Sequence, residues 1–106
     1  MSKKVNDILS ELRRRLAALY GDRLVRIILF GSQARGDAGA DSDIDVMLVL
    51  TDPVQLDAEL KRVTPITAAL SLEHNVVIST IYMSARRYSN EQSPLLNIAR
   101  REGAVV

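Results

Sequence analysis

Two aspartates and a glycine–serine turn flank one segment of the chain. Asp43 and Asp45 are separated by Ile44 at the start of an apolar run. Because side chains alternate along a strand, both carboxylates point to the same face. Like charges side by side repel each other unless a cation lies between them, and carboxylate oxygens suit Mg²⁺ or Mn²⁺. The pair therefore predicts a site for a divalent metal.

The Gly31-Ser32 turn offers the complementary half of a nucleotide site. Gly31 allows a phosphate to approach the backbone closely. Ser32 is a good N-cap for a short helix over residues 33–35 that would end at Gly36, and the N–H groups at such a helix start bind anions. Arg35 adds a positive charge within one turn. Together with the aspartates, these residues predict a site for a metal-bound nucleotide.

Two apolar runs must position these residues, Leu24 to Phe30 before the turn and Ile44 to Leu50 after it. If the runs were parallel neighbouring strands, the turn and the acids would lie a strand length apart, roughly 20 Å for about seven residues. We therefore predict an antiparallel pair. Asp37 and Asp41, in the connecting loop, are expected to form turns rather than bind ligands. One face of the second strand should be buried through Ile44, Val46, Leu48 and Leu50, with Met47 and Val49 on the face of the acids.

This stretch resembles the signature of a known superfamily. Residues 31–49 read G-S-x-A-R-G-x-A-x-x-x-S-D-I-D-V-M-L-V. The pattern resembles that of the polymerase-β-type nucleotidyltransferases and especially their smallest members, the minimal nucleotidyltransferases (MNT proteins). Those are often antitoxins encoded beside a HEPN-domain toxin. The close match covers residues 30–50, and the order of elements fits nearly the whole chain.

The resemblance implies a metal-dependent transfer of AMP from ATP to a hydroxyl of a partner protein. It implies that Gly31, Ser32 and Arg35 bind the nucleotide, and that Asp43 and Asp45 are catalytic and hold Mg²⁺ or Mn²⁺. The acceptor would be a tyrosine of a HEPN toxin, which adenylylation would silence. A transferase for small molecules, similar to aminoglycoside nucleotidyltransferases, fits less well because those enzymes carry an additional substrate-binding domain.

One expected carboxylate is missing. The superfamily usually carries a third acid on the next core strand, but the strand predicted from Asn75 to Met83 has no Asp or Glu. Ser79 or Thr80 stands roughly at that position. Glu73 and the lone His74 precede the strand and are better explained as a helix end and a turn residue. The missing acid leaves open an alternative function, a catalytically weak or inactive binding module that masks its partner.

The remaining chain predicts the helices that frame the sheet. Residues 3–20 have apolar residues at helical spacing, with Ser2 as N-cap. Asp52-Pro53 is expected to cap and start a helix that runs to about Leu72, with a break or kink at Pro65. Residues 84–93 are predicted to be a polar loop, and a last helix is expected from Pro94 to Arg101, before a short edge strand at 104–106.

The predicted fold is therefore α/β (α+β), a polymerase-β-like nucleotidyltransferase fold. Its elements follow the order α-β-α-β-α-β around a small mixed sheet with strand order 1-2-3. The crossover from the second to the third strand should be parallel and right-handed. We expect residues 1–106 to form one domain.

The composition of the chain excludes several other classes of protein. The chain has 106 residues, no cysteine and a net charge of +1. The cysteine count excludes disulfides and thiol chemistry, and the charge gives no strong signal for nucleic acid. No apolar run reaches membrane length, so we expect a cytoplasmic protein that could form homo- or hetero-oligomers.

Overall fold

The computed structural model describes residues 3–35 and 43–106 of the chain. The expected cap at Ser2, the helix end at Gly36 and the turn residues Asp37 and Asp41 lie outside these ranges. The helices are α1 (Lys3–Tyr20), α2 (Gly31–Arg35), α3 (Leu56–His74), α4 (Ala85–Asn90) and α5 (Pro94–Glu102), with a 3-10 turn at Gly21–Arg23. The strands are β1 (Leu24–Phe30), β2 (Ile44–Leu50), β3 (Ile78–Ser84) and β4 (Ala104–Val105). None of these helices is long and apolar enough to cross a membrane.

The strands form one mixed sheet in the order β3-β2-β1-β4. β1 and β2 are antiparallel, whereas β2 and β3 are parallel. Both pairings confirm the predictions made from the position of the Gly-Ser turn and from the length of the crossover. The predicted order 1-2-3 is extended by β4, which pairs with the free side of β1 through Ala104 and Val105. The α+β fold class is confirmed.

The two faces of the sheet are buried by different helices. The residues of β2 predicted to share one face pack there against apolar side chains of α1 and α3, among them Leu12, Leu16 and Leu70. The opposite face of β2, with Met47 and Val49, packs against Leu96 and Ala99 of α5. Asp45 belongs to this second face because it alternates with Val46. Asp45 therefore opens on the α5 side of the sheet, with Asp43 just before the strand.

The start of α3 differs from the prediction. Asp52 and Pro53 do not cap or begin the helix; a cis peptide bond joins them, and Gln55 is the N-cap. The guanidinium of Arg23 donates hydrogen bonds to the carbonyl oxygens of Thr51 and Pro53. These carbonyls are thus held outside the helix, which begins only at Leu56.

Three further elements differ from the sequence prediction. α3 is not broken at Pro65, because Val63 and Leu70 on either side of it are buried in the core and hold the helix together. Residues 85–90, expected to be loop, form α4, which is capped by the Ser84 hydroxyl accepting from the Arg87 N–H. β3 begins at Ile78 rather than Asn75, since Asn75 adopts the left-handed conformation that ends α3.

Candidate active site

The antiparallel pairing of β1 and β2 brings the Gly-Ser turn to the acids. Phe30, the last residue of β1, lies opposite Asp45. Gly31 follows with φ of +74°, and a Cβ atom placed on it would lie 2.7 Å from Oδ2 of Asp45. Only glycine fits both this backbone conformation and this contact. The structure therefore brings Gly31 and Asp45 together, as the strand geometry predicted.

The short helix α2 anchors the turn. It begins at Gly31, so Ser32 lies in its first turn rather than before it. Ala34 packs against the core and Gln33 is buried. Ser32 and Arg35 belong to α2, but the positions of their side chains are outside the described structure. The first-turn N–H groups of a helix have no partner within it, so they can receive an anion.

Asp43 and Asp45 occupy unequal environments at the start of β2. Asp43 is exposed just before the strand, whereas Asp45 is half-buried within it. Burial raises the pKa of the Asp45 carboxyl, and the negative charge of Asp43 raises it further. A cation between the two groups would relieve both effects. The donor set and its charge thus fit Mg²⁺ or Mn²⁺ with oxygen ligands from a substrate phosphate.

Of the two residues expected near the position of the third acid, Ser79 is the one on the face of Asp45. Ser79 is the register partner of Asp45 in the parallel β2–β3 pair, so both side chains project from the same face. Thr80 points to the opposite face, where its hydroxyl donates to the Tyr82 hydroxyl at 3.1 Å. Over residues 3–35 and 43–106, no three Asp, Glu, His or Cys side chains gather in a metal-binding group. The described site therefore has two carboxylates and an exposed serine.

Glu73 does not replace the third acid. The Glu73 carboxylate lies 3.6 Å from the guanidinium of Arg15 in α1. His74 Nε2 lies 3.9 Å from the other carboxylate oxygen of Glu73. Both residues sit at the end of α3, as the sequence suggested. They are explained by the contact between α1 and α3.

A buried carboxylate that the sequence did not single out is Glu59. Its side chain is 1% exposed and accepts hydrogen bonds from the Tyr20 hydroxyl at 2.9 Å and from Arg62 at 2.9 Å. Arg23 and the Gln55 N–H donate to its second oxygen, each at 3.3 Å. Burial acts most strongly and raises the pKa of Glu59, but these donors together outweigh it and leave the pKa below its ordinary value. Its bonds are all internal, so Glu59 links α1, α3 and the turn before β1.

The mixed sheet sets a glycine turn against Asp45, as expected from the resemblance to nucleotidyltransferases. The chain belongs to the nucleotidyltransferase domain family, whose model matches residues 9–97. The resemblance noted in the sequence is thereby confirmed, and so is the class of enzyme.

Relatives and solved structures agree with this family. A protein of Methanocaldococcus jannaschii that bears the name "putative protein adenylyltransferase" is 33% identical over 78 residues, covering 74% of this chain and 78% of the relative. A crystal structure of a toxin–antitoxin with AMP-PNP matches with a TM-score of 0.63 and 18% identity, covering 98% of this chain and 72% of that one. A structure of the tri-AMPylated Shewanella oneidensis HEPN toxin in complex with an MNT antitoxin matches with a TM-score of 0.50 and 18% identity, covering 89% and 67%. At these identities the structural likeness shows a shared fold.

Proposed function

We propose that the protein is a metal-dependent adenylyltransferase that moves AMP from ATP to a hydroxyl on a partner protein. The partner we propose is a HEPN toxin, and the modification would silence it, so that the protein acts as the antitoxin. Because this reaction consumes ATP, we place it in the cytoplasm.

The contact between Gly31 and Asp45 carries this proposal. The 2.7 Å between a would-be Cβ of Gly31 and Asp45 Oδ2 means that backbone and carboxylate face one another with no side chain between them. A triphosphate that binds the N–H groups of α2 is then next to the acids. The phosphate half and the metal half of the site meet at one ligand.

Each residue has a separate role in this proposal. The absent side chain of Gly31 leaves room for the Asp45 carboxylate beside the turn, and Ser32 and Arg35 bind the phosphates as donors and positive charge. Asp43 and Asp45 would hold Mg²⁺ or Mn²⁺ beside the triphosphate. When bound, the metal neutralises negative charge on the phosphates. The rest of the catalysis is positioning by the chain.

In the proposed transfer, AMP passes from ATP to the acceptor oxygen and pyrophosphate is the leaving group. The acceptor oxygen forms a bond to the α-phosphorus, the bond from that phosphorus to the bridging oxygen of the β-phosphate breaks, and pyrophosphate leaves. The acceptor hydroxyl loses its proton. Because Ser79 stands where a third acid would be, that proton passes to water or to a group of the acceptor. A missing base costs about 10²–10⁴-fold in rate, which leaves a slow but measurable transfer.

The comparisons support this assignment at the level of the chemistry. The relative is named for protein adenylylation, and two matched structures are toxin–antitoxin complexes, one with an ATP analogue and one with an AMPylated toxin. Extending the nucleotide, the acceptor protein and the HEPN partner to this chain is our inference.

A second candidate function is supported by Ser79. With serine in register with Asp45, the chain could bind its partner and mask it without covalent transfer. Keeping Gly31, Asp43 and Asp45 together argues for chemistry, because masking alone requires none of them.

One experiment separates the two candidates. The purified protein is mixed with Mg²⁺, ATP labelled at the α-phosphate and the product of a neighbouring HEPN gene, and label on the HEPN protein is measured together with the toxin's activity. Transfer predicts labelling that is lost in Asp43→Asn and Asp45→Asn. Asp7→Asn, which changes an exposed acid of α1, is the matched control and should label normally. Toxin inhibition that survives both substitutions, without label, would instead establish masking.

A further inference from the structure

The outer edge of β3 is uncovered by any other strand of the described chain. β3 is the terminal strand of the sheet and pairs only with β2. Its register with β2 is continuous over all seven residues, without a bulge. Ile78, Ile81 and Tyr82 are only half-buried, although the matching residues of β2 are fully buried. The edge is therefore long, regular and partly apolar.

One hydrogen bond shows which backbone N–H and C=O groups of β3 point toward β2 and which point outward. The Ile44 N–H donates to the Val77 carbonyl at 2.9 Å. In a parallel pair, this bond fixes the odd-numbered residues of β3 as those that bond to β2. The even-numbered residues Ile78, Thr80 and Tyr82 consequently direct their N–H and C=O groups outward. Within residues 3–35 and 43–106 no backbone partner is seen for these groups, so they can pair with another strand.

The edge lacks the features that usually prevent strand pairing. Proteins protect edges with charged residues, proline, bulges or short strands. From Asn75 to Ser84 the sequence has none of the charged residues and no proline. The opposite side of the sheet is protected, because β4 has two residues, β1 has an irregularity between Leu24 and Arg26, and Arg26 is charged.

We propose that β3 pairs with β3 of a second copy of this chain, antiparallel and centred on Thr80. An uncharged edge offers no attraction to a charged partner segment, whereas the same strand turned by a two-fold axis supplies the uncharged, β-branched and aromatic residues that it needs. Centring on Thr80 places Ile78 opposite Tyr82 twice and Thr80 opposite Thr80. Such pairs are favourable across strands. The outward groups then form roughly six hydrogen bonds.

The arrangement joins the two four-stranded sheets into one. A two-fold axis perpendicular to the sheet leaves both acid pairs on the same face. Three strand spacings of about 4.8 Å and a stagger of two residues put the two Asp45 Cα atoms roughly 16 Å apart. Two nucleotide sites would thus face one acceptor surface. The shared acceptor surface depends on the proposed function, whereas the pairing of the two β3 strands does not.

Cysteine cross-linking tests the register, because the chain has no cysteine of its own. In Thr80→Cys the two introduced thiols lie directly opposite, with Cα atoms about 5.5 Å apart, within reach of a disulfide. In the control Ser79→Cys the stagger separates the Cα atoms by roughly 8 Å, which is too far. We expect oxidation to give a covalent dimer of the first variant and not of the second. No dimer from Thr80→Cys, or equal amounts from both, overturns the proposal.

Sedimentation equilibrium tests the interface without cross-linking. The wild-type chain should show a concentration-dependent dimer. Thr80→Pro removes an outward N–H without removing a hydrogen bond to β2, so it should raise the dissociation constant of the dimer about 10- to 100-fold. The control Thr80→Val keeps that N–H and should leave the dissociation constant within a few-fold of the wild-type value. If the proline variant fails to fold by circular dichroism, Thr80→Lys replaces it, because two like charges directly opposite repel. A wild-type chain that stays monomeric, or a dimer that Thr80→Lys does not weaken, overturns the proposal, and β3 would then be free for a different protein.

Discussion

Replacing Gly31 by alanine should separate backbone strain from damage to the site, because Gly21 provides a matched control. Both glycines have positive φ, +74° at Gly31 and +57° at Gly21. A left-handed conformation costs an alanine roughly 1–2 kcal/mol. Each kcal/mol corresponds to a fall of roughly 4–8 °C in Tm for a chain of this size. Both variants should therefore lose similar stability.

Only Gly31→Ala should also displace a site residue. Among the described residues, nothing lies within 4 Å of a Cβ at Gly21, whereas a Cβ at Gly31 would lie 2.7 Å from Asp45 Oδ2. Ordinary contact begins at 3.4 Å, so the carboxylate must move by about 0.7 Å. A displacement of about 1 Å at reacting groups can cost about 10²-fold. We expect Gly31→Ala to lose about 10- to 100-fold in transfer rate at saturating ATP, and Gly21→Ala to lose none.

The measurements are thermal unfolding and single-turnover transfer of labelled AMP, with calorimetric titration of Mg²⁺ and an ATP analogue that cannot transfer AMP. Titration reports on the site even if no acceptor is at hand. If the two alanine variants unfold alike and also bind the analogue alike, Gly31 and Asp45 do not form the nucleotide site. The assignment of Gly31 would then be wrong.

Three further outcomes follow from the carboxylates and from Ser79. Because the pKa of Asp45 is raised, the stability of the wild-type chain without metal should fall as pH rises through that pKa. In thermal melts at neutral pH, Asp45→Asn should be more stable than the metal-free wild type, and Mg²⁺ should no longer stabilise it. Glu59→Ala should lower the free energy of unfolding, measured in urea, by about 3–5 kcal/mol, because it leaves buried donors and charge unpaired. Because the pKa of Glu59 is lowered, the contribution of Glu59 to stability should be lost as pH falls through its folded-state pKa. Ser79→Asp should raise the single-turnover rate of AMP transfer by up to about 10²-fold. Thr80→Asp, on the opposite face of β3, should not raise it. Equal transfer rates in the two variants would exclude a role for position 79.

The arrangement of the site could be predicted because it rests on alternation and strand direction. Alternation along β2 places Asp45 on the face opposite Val46, and the demand that Gly31 meet Asp45 required an antiparallel pair. Asp43 lies just before β2, so alternation does not place its side chain. Both expectations depend only on local geometry. The choice between Ser79 and Thr80 depended on the register of β3 against β2. β3 begins at Ile78, after Asn75 has ended α3, and that starting residue could not be predicted from the sequence.

The predictions for the start of α3 and for Pro65 were wrong where tertiary contacts override the local sequence signal. Asp52-Pro53 has the form of a helix start, but Arg23 binds the carbonyls of that segment from another part of the chain. Pro65 was expected to break or kink α3, and the helix continues through it without a break, with Val63 and Leu70 buried on either side. Neither Arg23 nor the core surface can be seen from the residues near these prolines.

The contrast between Glu59 and Asp45 shows why burial alone would have given the wrong site. Glu59 is the more buried carboxylate, yet four donors surround it and its pKa is lowered, so it is stable as an anion and has no need of a further ligand. Asp45 is only half-buried, but its neighbour is another acid and its pKa is raised. A carboxylate whose ionised form is disfavoured in the folded chain gains the most from a bound cation. Asp45, rather than Glu59, is therefore the acid at which a metal would both bind and stabilise the fold.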